Sequence, residues 1–137
     1  MNASPRPPWI PAALLAGVLY SVIGRAFAVP TAHAHAWRLA AWAVSGILFA
    51  AHIGFEHYRL RNPARVVALH AATAVAIGAG ALAAAGMFQS LSGGSALRPT
   101  WLLALVLWPA FTAIPAFIAA LLVASVLGRT PRRAGPE

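Results

Sequence analysis

The sequence contains no cysteine, no lysine and no aspartate, and only two of its 137 residues are acidic, Glu56 and Glu137. Without cysteine the chain has no disulfides, no iron–sulfur cluster and no thiolate metal site. Charged residues make up only 9% of the chain, whereas a water-soluble domain carries about 25%. These absences exclude thiol redox chemistry and argue against a soluble domain.

Four long segments carry no charge at all: residues 7–24, 39–55, 66–97 and 99–128. A helix that rises ~1.5 Å per residue needs about 20 apolar residues to cross a ~30 Å hydrocarbon layer. The pattern predicts an all-α membrane protein with four transmembrane helices in an up-down antiparallel bundle. We expect spans at about 9–29, 37–58, 63–88 and 100–127, and residues 1–137 as a single integral membrane domain.

The charge that remains is almost entirely positive, with a net charge of +8. In a soluble protein this balance would suggest nucleic acid. Here the arginines lie at helix ends, so the expected partner is the lipid bilayer and not nucleic acid. Seven arginines lie on the side of the N-terminus, the 2–3 connection and the C-terminus, against three on the other side. This split predicts that both termini are cytoplasmic. The use of arginine without lysine, together with much alanine, indicates a GC-rich genome, and we expect a bacterial cytoplasmic (inner) membrane.

An alternative would remove the first span. Ala26-Phe-Ala28 and Ala32-His-Ala34 resemble the small-residue pattern at which signal peptides are cleaved. Arg25 interrupts that region, and a single arginine precedes the first apolar segment. We therefore favour four spans over three.

Small residues recur at four-residue spacing on two of the predicted helices. The row on the third helix consists of Ala72, Ala76, Gly80 and Ala84. The row on the second helix consists of Gly46, Ala50 and Gly54. Such rows let helix backbones approach closely in membranes. They predict a central third helix and a closely packed hairpin of the second and third helices.

Three ionisable side chains are predicted to meet near the end of that hairpin. His52 and Glu56 are four residues apart and so share a helix face. If the hairpin turns at Arg61, His52 and His70 are each nine residues from the turn and lie at the same height. This symmetry predicts a His52–Glu56–His70 cluster.

A carboxylate at membrane depth should be paired or protonated. The simplest interpretation of Glu56 is a structural ion pair with Arg59 or Arg65 that joins the hairpin. The alternative makes Glu56 a proton acceptor or a metal ligand.

Two ligand sets are compatible with the histidines, although we expect no cofactor. His52, Glu56 and His70 form a two-histidine, one-carboxylate set that suits a divalent metal such as zinc or iron. His52 and His70 alone suit the two axial positions of a b-type haem.

No catalytic motif accompanies these residues, so we expect no enzymatic activity. The leading hypothesis is a structural or accessory membrane component, acting as a homo-oligomer or within a larger membrane complex. The alternatives are a haem- or metal-binding redox protein that uses His52 and His70, and a small proton-coupled carrier that uses Glu56.

Overall fold

The computed structural model describes residues 9–28, 33–94, 96 and 98–129, and these are helical throughout apart from short connections. Helix α1 is Trp9–Ala26, α2 is Ala34–Gly54, α3 is Ala64–Ser92 and α4 is Pro99–Arg129. A π-helical segment, Phe55–Arg59, continues α2. All four helices are long and apolar enough to cross a membrane. The predicted all-α class with four helices able to span a membrane is confirmed, and these helices are consistent with a multi-pass membrane protein.

The largest difference between the helix bounds and the predicted spans is at the C-terminal end of α3. Helix α3 continues to Ser92, through residues that the sequence suggested would end it. The Ser92 hydroxyl donates a hydrogen bond to the Phe88 carbonyl, and the Gly93 amide bonds the Gln89 carbonyl, so the last turn keeps its backbone partners. The possible cleavage position near Ala32 and the C-terminal tail lie outside the described residues.

Helix α3 lies in the middle, packed against α1 on one side and α4 on the other. Helices α1 and α3 run in the same direction, since Trp9 stacks on His70 and Arg25 bonds Gln89. Helix α4 runs in the opposite direction. We call the end that holds Trp9, residues 60–63 and Arg129 the near end, and the opposite end the far end. The central position predicted for the third helix is confirmed.

The tightest helix contact joins α1 and α3 through glycines. A Cβ atom added to Gly78 would lie 2.6 Å from Cβ of Tyr20 and 3.1 Å from the carbonyl oxygen of Gly17. The Ser21 hydroxyl bonds the Gly17 carbonyl at 3.0 Å and reaches the Gly78 carbonyl at 3.4 Å. The two backbones approach because neither has a side chain between them.

Helix α2, by contrast, packs less extensively against the other helices, and at the near end Phe49 and Ile53 pack against the core of α3 and α4. Cβ atoms added to Gly46 or Gly54 would meet nothing within 4 Å. The predicted packing of α2 through its small-residue row is therefore wrong. The far half of α2 lines an open groove between it and the other helices, with Arg38, Trp42 and Phe49 among its lining residues.

Candidate functional site

A completely buried carboxylate, that of Glu56, lies at the near end. It belongs to the π-helical segment, in which the Leu60 amide donates to the Phe55 carbonyl at 3.2 Å. Arg61 then adopts a left-handed conformation, with φ of 55°, and reverses the chain. The predicted turn at Arg61 thus coincides with a backbone reversal.

The reversal brings Asn62 back over Glu56. The Asn62 side-chain amide donates a short hydrogen bond to Oε2 of Glu56, and the Asn62 backbone amide bonds the Glu56 carbonyl at 3.2 Å. Sequence reasoning missed Asn62, although its place directly after the predicted turn was a usable signal. An amide at that point can fold back onto the helix that precedes it.

Both predicted histidines reach the same carboxylate. Nδ1 of His70 lies 3.0 Å from Oε2 of Glu56, within hydrogen-bonding distance. Nε2 of His52 lies 3.7 Å from Oε1, which is too long for a hydrogen bond. The hairpin symmetry correctly placed His52, Glu56 and His70 together.

Trp9 covers this cluster from α1. Its ring stacks on the His70 imidazole, with ring centroids 4.3 Å apart and planes inclined by 5°. The sequence predicted only that the first span begins at about residue 9, because nothing in the chain indicates that α1 crosses α3 at this height. The stacking shields one face of His70 and fixes its ring plane.

The predicted ion pair between Glu56 and Arg59 or Arg65 is absent from the described part of the chain. The ion-pair partners of Glu56 there are His52 and His70, with Asn62 as a further donor. The reason is geometric. Glu56 is turned inward, whereas Arg59 and Arg65 are exposed.

Within the described part of the chain, two atoms of the cluster lack a hydrogen-bond partner. Oε1 of Glu56 and Nε2 of His52 are both buried and lie 3.7 Å apart, without a hydrogen bond between them. Buried polar atoms are nearly always paired, so such an exception calls for a reason, such as a catalytic role or an ion. A proton on Nε2 and a small movement of the ring would pair both atoms at once. The cluster therefore places two imidazoles, which are groups that can gain or lose a proton, against one buried carboxylate.

The same geometry bears on the cofactor hypotheses. Within the described ranges no three histidine, aspartate or glutamate side chains are arranged to hold a metal ion. A haem would have to lie between His52 and His70, but both imidazoles point to one carboxylate and Trp9 occupies a face of His70. The residues do not fit a porphyrin in this arrangement. His33 and His35, at the far end, are exposed and separate from the cluster.

No family model, curated protein or solved structure matches this chain. The functional conclusion therefore rests on the geometry of the cluster and on its place in an apolar helix.

Proposed function

We propose that the chain is a small proton-coupled carrier in which Glu56, His52 and His70 bind and release a proton. One observation supports this most strongly. The carboxylate of Glu56 is completely buried in a helix fit to span a membrane, and it faces an unpaired imidazole nitrogen of His52. Ionisable groups inside membrane spans are expensive and commonly mark proton relays or substrate pathways.

Stability alone is a weak reason for such a cluster. Taking a charge out of water costs several kcal/mol, and apolar residues of similar volume often replace a buried ion pair without loss. A cluster that also leaves two buried atoms unpaired is worse than an apolar core. A role in proton exchange accounts for both features.

The hydrogen bonds indicate how a proton could act on the fold. Oε2 of Glu56 holds Asn62 of the connection and lies at bonding distance from His70 of α3, so the carboxylate joins α2 to α3. Hydrogen bonds to a charged acceptor are about twice as strong as neutral ones. Neutralising Glu56 would weaken this joint and free the near end of α2 to move.

We place the protein in a bacterial inner membrane with both termini in the cytoplasm. The support is the arginine split between the two sides. In that orientation the cluster lies close to the cytoplasmic surface, from which Glu56 would exchange its proton.

The test is a pH jump applied to membranes that contain the purified protein and are adsorbed on a sensor electrode. Proton binding inside the membrane should give a transient charge displacement. The transient should be lost in Glu56→Gln and reduced in His70→Asn. His35→Asn is the matched control, since His35 is exposed and far from the cluster, and it should retain the full transient. An unchanged transient in Glu56→Gln would overturn the proposal.

A structural or accessory role is the second candidate. It is favoured by the fact that the cluster joins α1, α2, the connection and α3 within one chain, through Trp9, His52, Asn62 and His70. This role predicts no charge transient in the wild type, together with a loss of thermal stability in Glu56→Gln. Co-purification with a second copy or with other membrane proteins would then identify what the protein supports.

A further inference from the structure

The groove between the far half of α2 and the other three helices has no role in the proton site. Its volume is about 670 Å³, within the range of ~300–1,000 Å³ that is typical of ligand sites. Its walls are apolar and aromatic, with Trp42 and Phe49 on α2 facing Trp108 and Phe111 on α4. Such walls suit a hydrocarbon ligand.

The length of the groove matches one lipid tail. Along α2 it extends from Arg38 to Phe49, which at ~1.5 Å per residue is a rise of about 16 Å. Half of a ~30 Å hydrocarbon layer is about 15 Å. Phe49, which packs against the core, is the last residue of α2 along this wall of the groove. The groove therefore extends through one leaflet, that of the far end.

The charge at the open end is complementary to an anionic headgroup. Arg38 lines the groove and is exposed, and only its Nε is bonded, to the Ala34 carbonyl at 3.3 Å. The stretches at the far end, residues 25–38 and 89–101, contain three arginines and no acidic residue. Basic pockets between membrane helices bind anionic lipid headgroups.

We propose that the groove is a binding site for an anionic phospholipid of the far-end leaflet. An acyl chain lies between α2 and α4, and the phosphate lies at the guanidinium of Arg38. The lipid fills the open space between α2 and the other helices, and it holds α2 at its observed distance from α3. This inference stands on the groove alone and does not depend on proton binding by Glu56.

The test is native mass spectrometry of delipidated protein with equal concentrations of phosphatidylglycerol and phosphatidylcholine. The wild type should retain phosphatidylglycerol in preference, by about fivefold for one arginine near the headgroup. Gly46→Leu should reduce binding of both lipids, because Gly46 lines the groove and has open space in which a leucine would stand. Arg38→Gln should keep binding but lose the preference.

Two control variants isolate these effects. Gly128→Leu makes the same change outside the groove, at a glycine where an added Cβ atom would also meet nothing within 4 Å. Arg98→Gln removes a far-end charge that does not line it. Both should behave like the wild type. If Gly46→Leu fails to fold, Ser45→Leu, at another groove-lining position, takes its place.

Three results would overturn the proposal. The first is equal lipid retention in Gly46→Leu, or in its replacement Ser45→Leu, and in Gly128→Leu. The second is an unchanged preference for phosphatidylglycerol in Arg38→Gln. The third is a wild-type dimer that carries no lipid and is broken by Gly46→Leu, which would make a second copy of the chain the occupant.

Discussion

The glycine contact between α1 and α3 predicts that alanine substitutions at two different glycines change the free energy of unfolding in opposite directions. In Gly78→Ala the new methyl group would lie 2.6 Å from Cβ of Tyr20 and 3.1 Å from the carbonyl oxygen of Gly17. Both atoms belong to or adjoin the backbone of α1, so neither can rotate away, and α1 must shift as a unit. Overpacking of this kind costs about 1–3 kcal/mol.

Gly46→Ala is the matched control. Gly46 also lies in mid-helix, but an added Cβ would meet nothing within 4 Å. The substitution should therefore be neutral or stabilising, by up to ~1 kcal/mol, because alanine is the better helix former. The free energies of unfolding of the two variants should differ by about 1–4 kcal/mol, the sum of the two effects.

The assay is unfolding in mixed micelles with increasing denaturing detergent, followed by circular dichroism for both variants and the wild type. A displaced α1 should also reduce the stacking of Trp9 on His70, which tryptophan difference absorption can detect. Equal stability of Gly78→Ala and Gly46→Ala would refute the close approach of α1 and α3.

Three further predictions concern the cluster and the topology. Asn62→Ala should lower the free energy of unfolding by about 1–3 kcal/mol, because the buried carboxylate of Glu56 loses a hydrogen-bond donor. Arg65→Glu, at an exposed position, should change this free energy little. A larger loss in Arg65→Glu than in Asn62→Ala would contradict Asn62 as the partner of Glu56. Because the chain has no cysteine, introduced cysteines can be crosslinked cleanly. A pair at positions 52 and 70 should react faster than a pair at 52 and 84, and the opposite result would place α2 and α3 in another register. Reporter fusions at positions 61 and 137 should both report the cytoplasm, and an external signal from either would reverse or break the proposed topology.

Part of the candidate site was predictable because it depends on spacing. The separation of His52 and Glu56 places them on one helix face, and the distance of each histidine from Arg61 sets their height in a hairpin. The partner of Glu56 was not predictable. Arginines are close to it in sequence, but the π-helical turn rotates the carboxylate inward, toward Asn62 and His70.

The small-residue rows also show that residue spacing alone does not predict which helix surfaces pack together. The row on α2 has the spacing of a packing surface, yet Gly46 and Gly54 face open space. Helices α1 and α3 instead approach closely at Gly17 and Gly78, which lie outside the two rows singled out from the sequence. Spacing identifies the residues that permit close packing, whereas the neighbouring side chains on both helices decide which of them are used.

The sequence by itself determined the four apolar helices, their alternating direction and the reversal near Arg61, because these depend on local hydropathy and chain length. Only the tertiary structure decided that α1 packs on α3, that Trp9 covers His70 and that an open groove separates the far half of α2 from α3 and α4. In a chain that is apolar on nearly every face, many helix pairings bury similar surface. The choice between them is made by the fit of individual side chains, which no periodicity in the sequence records.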